Sequence, residues 1–301
     1  GIGRGTFPNV LGKIAKAVAF ATAPTNLDPK GGRKPAMMYR QTVAKEVSTH
    51  PWRVLGGSSR ASISTKTSES LEGIPDGSID LILTDPPYFD NLSYSELSDF
   101  YLAWHQSLGM AEPPYDNPAI AAPIKENLAL TDRGDQSIEV YRNSLHRIFC
   151  ECRRVLKKDG IMVFTYHHKS PVAWGALGDA LVRSGLKCAT VLPLRGEGQG
   201  GLHSYDGTIK WDAVFVCRKG SQVSSASSDN AAVPRTAIKQ AKQQASAYAE
   251  DLAKTRQIGF RDPDRLNLER AMIVASAVIA PTHPDFMPLS DALKTSSTGG
   301  R

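Results

Sequence analysis

A chain of 301 residues with 41% hydrophobic and 22% charged content has the makeup of a globular protein, with room for one large α/β domain or a medium domain with appendages. No window approaches the apolar length of a membrane span, and the N-terminus lacks the charged, apolar, small-residue order of a signal peptide, so the expectation is a cytoplasmic protein with no membrane partner. The net charge of +6 is unevenly placed, with +8 over residues 1–60, −4 over 61–220 and +2 over 221–301; a basic segment beside a mildly acidic core suits a protein that holds a polyanion with one part and does chemistry with another, although a solvated basic surface explains the charge equally well.

Residues 1–50 read as an irregular basic segment, a loop from Pro24 to Pro35 between two weakly helical stretches, Val10–Ala21 and Met37–Val47, with no core of its own. Trp52–Gly57 reads as a short strand ending at a glycine pair. Ile79–Thr84 is a continuous apolar run of the kind covered on both faces by helices in a parallel sheet. It ends on Asp85-Pro86-Pro87-Tyr88. Ser93 and Glu96 then form a capping box that opens a helix with the apolar stripe Leu97, Phe100, Tyr101, Trp104 and Leu108, a pattern that assigns Trp104 to the core. After a loop around Pro113–Pro123, Ile138–Leu156 is a long helix, stopped by Gly160. A strand over Ile161–His168, a helix over Pro171–Ser184 closed by Gly185, and strands over Lys187–Leu194 and Lys210–Lys219 follow. Ser221–Ala232 is a polar linker, Arg235–Gln257 and Leu266–Ile279 are helices, and the last residues fray.

This order predicts an α/β fold, a doubly wound, mostly parallel sheet with an antiparallel last strand and added C-terminal helices. The corresponding divisions are residues 1–50, a partial catalytic domain over 51–220, a linker over 221–234 and a helical segment over 235–301. Cys150, Cys152, Cys188 and Cys217 include only one close pair, which points in different directions along a helix, so no metal is expected.

The chemistry sits after the first buried strand. In open parallel sheets the ligand lies at the carboxyl ends of the strands, where Asp85 falls. Its carboxylate and the Pro86 carbonyl, stiffened by Pro87, can accept two hydrogen bonds from one amino group, while Tyr88 can stack on the ring that carries it. The exocyclic amine of a nucleobase is a poor nucleophile because its lone pair is delocalised. Two acceptors localise that pair for attack on a sulfonium methyl group, and such a base must leave the duplex to be reached.

Asp85-Pro86-Pro87-Tyr88 after its apolar strand, with "LEGIPDGSID" before it, "FDNLSYSELSDFYLAW" after it, "CRRVLKKDGIMVFTYHH" and "GTIKWDAVFVCRK", resembles the amino-group DNA methyltransferases. It is most similar to the adenine-specific DNA methylases whose longer members carry a zinc ribbon. The resemblance covers roughly Arg53 to Lys219. It implies a class I methyltransferase-like fold, S-adenosyl-L-methionine as methyl donor, DNA as partner, N6 of adenine as acceptor and a role in restriction-modification or phage defence. Carried onto this chain, Asp85 and Pro86 grip the amine, Tyr88 stacks on the base, and Asp90 and Asn91 are further substrate contacts; His167 and His168, which end their strand on the same ligand-bearing edge, are read either as substrate contacts or as hydrogen-bonded structural residues. Gly57, Ser58 and Asp85 are the cofactor contacts.

The Gly-rich turn and ribose-binding acid that the resemblance calls for are missing from this sequence. Gly196–Gly201 has glycines at suggestive spacing but leads into a loop and strand, with no helix N-terminus to hold a phosphate. The expectation is therefore that the first strands lie upstream of Gly1 and that an upstream segment or a partner subunit supplies the turn. Methylation of RNA, of cytosine or of a protein amide, or a non-catalytic DNA-binding remnant, are the competing readings.

Overall fold

The computed structural model describes residues 15, 25–27, 33–35, 47–48, 61–62, 67–89, 101, 104, 107, 135–196, 208–220, 231–256, 261–279 and 283–296. The chain divides into two units, Gly1–Thr65 and Lys66–Arg301. In the first, Ala15 is helical, β1 (Thr25–Leu27) pairs antiparallel with β2 (Arg33–Pro35), and β3 (Val47–Ser48) pairs parallel with β4 (Ala61–Ser62). Val47 thus lies in a strand and not at the end of a helix. The remaining expectations for this region, Trp52–Gly57 included, lie outside the described residues.

The second unit is built on a four-stranded sheet. β5 (Ile79–Thr84) runs parallel to β6 (Leu156–Tyr166), β8 (Trp211–Lys219) lies antiparallel to β6, and β7 (Leu186–Arg195) forms the far edge, antiparallel to β8. The sheet is therefore mixed and not mostly parallel. β7 and β8 follow one another in sequence and lie side by side and antiparallel in the sheet, a pairing that needs no crossover helix.

A crossover helix, α1 (Asp135–Val155), connects β5 to β6. Its buried stripe Tyr141, Leu145, Phe149 and Cys152 recurs at helical spacing and faces the sheet. The helix stops at Val155 because Leu156 already pairs with Ile79, so Lys157–Gly160 bulge out of the strand and do not cap a helix. Gly160 is required there: a Cβ would lie 3.0 Å from the Ile79 carbonyl oxygen. α2 (Pro171–Arg183) begins at Ser170, whose hydroxyl accepts from the Val172 amide, and closes at Gly185 with φ +73°.

The core lies on one face of the sheet. Met162, Phe164 and Tyr166 of β6 and Ala213, Phe215 and Cys217 of β8 are fully buried against α1 and α2. The Phe164 and Phe215 rings stack at 4.8 Å across the strand pair, and each fully buried side chain of this size contributes about 1.5–3 kcal/mol. The opposite face behaves differently. Leu81 and Leu83 are 56% and 74% exposed, which corrects the expectation of a strand covered on both sides. Tyr101 and Trp104 are helical and exposed, so Trp104 is not a core residue.

The C-terminal part is also more ordered than expected. Ala231–Pro234, expected to be linker, is β9, the central strand of a sheet with β10 (Val278–Ile279) and β11 (Phe286–Pro288). α3 (Arg235–Arg256) follows it, α4 (Asp262–Ala275) ends before β10, and α5 (Leu289–Thr295) packs where fraying was expected. Apolar Ala231–Val233 and Leu289–Leu293 gain burial by pairing and docking, which the polar sequence around them hides. No described helix is long and apolar enough to cross a membrane.

Candidate active site

Strand register assembles the site. The parallel pairing Leu83↔Val163 and Thr84↔Phe164, continued one step, brings Asp85 beside Thr165. The antiparallel pairing Tyr166↔Ala213, continued one step, brings His167 opposite Asp212. Alternation along each strand puts Asp85, Thr165, His167 and Asp212 on the same, more exposed sheet face, at the carboxyl ends of β5 and β6.

Both hydroxyls near Asp85 point at one of its oxygens. Tyr88 donates to Oδ1 at 2.8 Å, and the Thr165 hydroxyl donates to the same atom in a very short hydrogen bond. Burial pushes the Tyr88 hydroxyl far above its ordinary range, and the carboxylates of Asp85 and Asp212 add to this, so it remains a donor. No described residue donates to Asp85 Oδ2 or to the Pro86 carbonyl. Two neighbouring acceptors are thus held beside a rigid turn. The next carbonyl, that of Pro87, is taken by the hydroxyl of Tyr141 from α1 at 3.0 Å.

Tyr88 itself is part of the core. It is 7% exposed, with Tyr166 and His167 set edge-on against it at centroid distances of 5.0 and 4.6 Å. This corrects its assignment as an open stacking platform: the ring is packed into the protein, and its hydroxyl orients the carboxylate instead.

The two histidines separate in role. The Ser170 amide donates to His168 Nδ1 at 2.9 Å, leaving the Nε2 proton to be donated to the Phe89 carbonyl at 2.5 Å. Both nitrogens of His168 are therefore used within the protein, tying the turn after β5 to the turn after β6, so it is a strut and not a substrate contact. His167 donates from Nδ1 to Asp212 Oδ1 at 2.5 Å and keeps 28% of its side chain exposed.

A buried polar stripe on α4 holds the turn after β6 to the start of β8. Asp264 accepts from the amides of Lys210 and Trp211 at 2.6 and 3.1 Å. Asn267 accepts from the His168 amide at 3.2 Å and donates to the Trp211 carbonyl at 3.0 Å. Arg270 donates to the Lys169 carbonyl at 2.6 Å. Sequence reasoning missed Thr165, Asp212, Tyr141 and this stripe, although Thr165 and Asp212 are conspicuous as polar residues within the otherwise apolar runs Ile161–Tyr166 and Trp211–Cys217.

Gly57, Ser58, Asp90 and Asn91 lie outside the described residues, as do the capping box at Ser93 and all of Gly196–Gly201 except Gly196. Among the described residues no group of His, Cys, Asp and Glu is arranged to hold a metal ion. No known protein family and no curated protein matches the chain. Among solved structures, a Thermus thermophilus protein provisionally described as a DNA modification methylase is 14% identical, with 70% of this chain and 73% of that one covered and a TM-score of 0.29. At that level the likeness carries no argument about fold or function.

Proposed function

We propose that the chain is an S-adenosyl-L-methionine-dependent methyltransferase acting on an exocyclic base amine, N6 of adenine in DNA, in a restriction-modification or phage-defence role. The observation that carries this reading is the pair of acceptors, Asp85 Oδ2 and the Pro86 carbonyl, that no described residue engages, placed at the carboxyl end of β5. An amino group has two hydrogens and meets two acceptors. The lone pair then localises on nitrogen as the new bond forms, which is where preorganised acceptors help most. The sequence around the motif supports a class I methyltransferase-like arrangement for this half of the sheet.

The donor set fits the cofactor in charge: Asp85 and Asp212 flank the site, and a sulfonium cation is favoured beside carboxylates. When bound, S-adenosyl-L-methionine supplies an electrophilic methyl group. Of the residues expected to hold it, Asp85 alone is described. Asp85 would grip the amine, Thr165 and Tyr88 would fix the carboxylate, and the prolines would fix the second acceptor.

The test is transfer of a radiolabelled methyl group from S-adenosyl-L-methionine to unmethylated duplex and single-stranded DNA by the complete enzyme, this chain together with the upstream segment or partner subunit expected to supply the cofactor turn, followed by nucleoside analysis. Label in N6-methyldeoxyadenosine is expected, and Asp85→Ala should lower the rate by about two to three orders of magnitude. Label in cytosine or RNA would redirect the substrate assignment. Undiminished transfer by Asp85→Ala would reduce the motif to a turn.

A further inference from the structure

We infer that His167, oriented by Asp212, is the base that carries away the proton the amine loses on methylation. This rests on the reading above that the chain methylates an amine, and it assigns a task that the acceptor pair leaves undone. As the nitrogen lone pair forms its bond to the methyl carbon, the carbon–sulfur bond breaks with its electrons passing to sulfur. The nitrogen is left with one proton too many. Asp85 has one oxygen occupied by two hydroxyl donors, and its other oxygen keeps one N–H throughout; the proton to be lost is the one that meets the Pro86 carbonyl, which is too weak a base to take it.

His167 is built for the remaining step. Its Nδ1–H is held by Asp212 at 2.5 Å, and that bond fixes the tautomer in which Nε2 is the acceptor. Nε2 has no hydrogen bond to a described residue, and the side chain is 28% exposed. The ring lies edge-on to Tyr88, whose hydroxyl is bonded to Asp85, so the imidazole stands one aromatic ring away from the clamp. Asp212 is itself placed by its backbone neighbour: the Trp211 amide and carbonyl are fixed by Asp264 and Asn267. A neutral imidazole is the side chain best suited to proton acceptance near neutral pH. After transfer the balance is an N-methyl amine, a neutral thioether and an imidazolium paired with Asp212.

Three measurements test this, the spectra on this chain and the kinetics on the complete enzyme with the segment that supplies the cofactor turn. Long-range proton–nitrogen correlation spectra of protein labelled at histidine nitrogen should show His167, identified by its loss in His167→Gln, protonated at Nδ1 and bare at Nε2. Asp212→Asn should reverse that tautomer, because an amide can donate to Nδ1. In the labelled-methyl assay on a DNA oligonucleotide, His167→Gln should lower kcat by about a hundredfold, with KM for DNA little changed, and free imidazole should restore part of the rate to His167→Ala. If the His167 variants fail to fold, the reversed tautomer and a kcat lowered at least tenfold in Asp212→Asn carry the test. Wild-type kcat in His167→Gln, or an Nε2-protonated ring in the parent protein, overturns the base assignment and leaves methyl transfer standing. A complete enzyme, with the segment that supplies the cofactor turn present, that transfers no methyl group overturns both.

Discussion

Two hydroxyl protons converge on Oδ1 of Asp85, and this decides which oxygen faces outward. Removing either donor lets the carboxylate rotate, so the cost falls on alignment. Each such hydrogen bond is worth about 0.5–1.5 kcal/mol net. Thr165→Val keeps the shape and removes the donor, and methyl transfer is expected to fall about tenfold with cofactor binding unchanged. Tyr88→Phe is expected to fall similarly. On a stacking role for Tyr88 the second substitution should be silent, because the ring is retained. The buried hydroxyl reverses that expectation, and a side-by-side rate measurement on the two variants decides it: a silent Tyr88→Phe restores the stacking role.

At the scale of elements, α4 is the piece that ties β6 to β8. Asp264 is fully buried, and its carboxylate pairs three backbone amides, those of Arg261, Lys210 and Trp211. Asp264→Ala removes the carboxylate that accepts from all three and should cost about 2–4 kcal/mol in urea unfolding, whereas substitution of the exposed Asp262 in the same turn should cost little. The same helix carries Glu269, nearly buried, whose pKa is raised by burial against the weaker pull of Lys242, Arg265 and Arg270. A raised folded pKa means that stability is full below the unfolded value of 4.5 and declines as pH rises above it. Glu269→Gln should therefore raise Tm at pH 7, with the gain shrinking as pH falls toward 4, checked by thermal unfolding at several pH values; a gain that grows on acidification would contradict it. This helix also shows where sequence legibility stops. Strand periodicity placed Ile79–Thr84 and Lys210–Lys219 within a residue, and the expected Ile161–His168 overlaps the end of β6 while missing its first five residues; with them came the sheet edge that carries Asp85. It could not order the strands, because β8 slips between β6 and β7 through a long-range pairing with no local signal. Nor could it find α4's role, because a buried Asp, Asn and Arg read as a solvent-facing stripe until the backbone groups they satisfy are in place.

For the whole molecule, the charge divides by region. Residues 1–60 carry +8 and residues 61–220 carry −4, so the part bearing Asp85 and Asp212 would repel a phosphate backbone that the N-terminal part attracts. On the proposed DNA reading, affinity and chemistry are supplied by different stretches of sequence, and the two should be separable by experiment. Lys and Arg that meet phosphates release condensed counterions, and the logarithm of affinity then falls with the logarithm of salt by about 0.9 for each contact. Replacing Lys13, Lys16, Arg33 and Lys34 with Gln should flatten that slope by up to about 3.6, and equally for any DNA sequence, since phosphates carry no sequence information. Fluorescence anisotropy of a labelled duplex between about 50 and 200 mM salt measures it. Methyl transfer at saturating DNA should be retained, because the proposed chemistry belongs to the acceptor pair and not to these four side chains. A slope unchanged by all four substitutions would make the N-terminal charge a solvated surface, and the search for the DNA contact would move to another part of the chain.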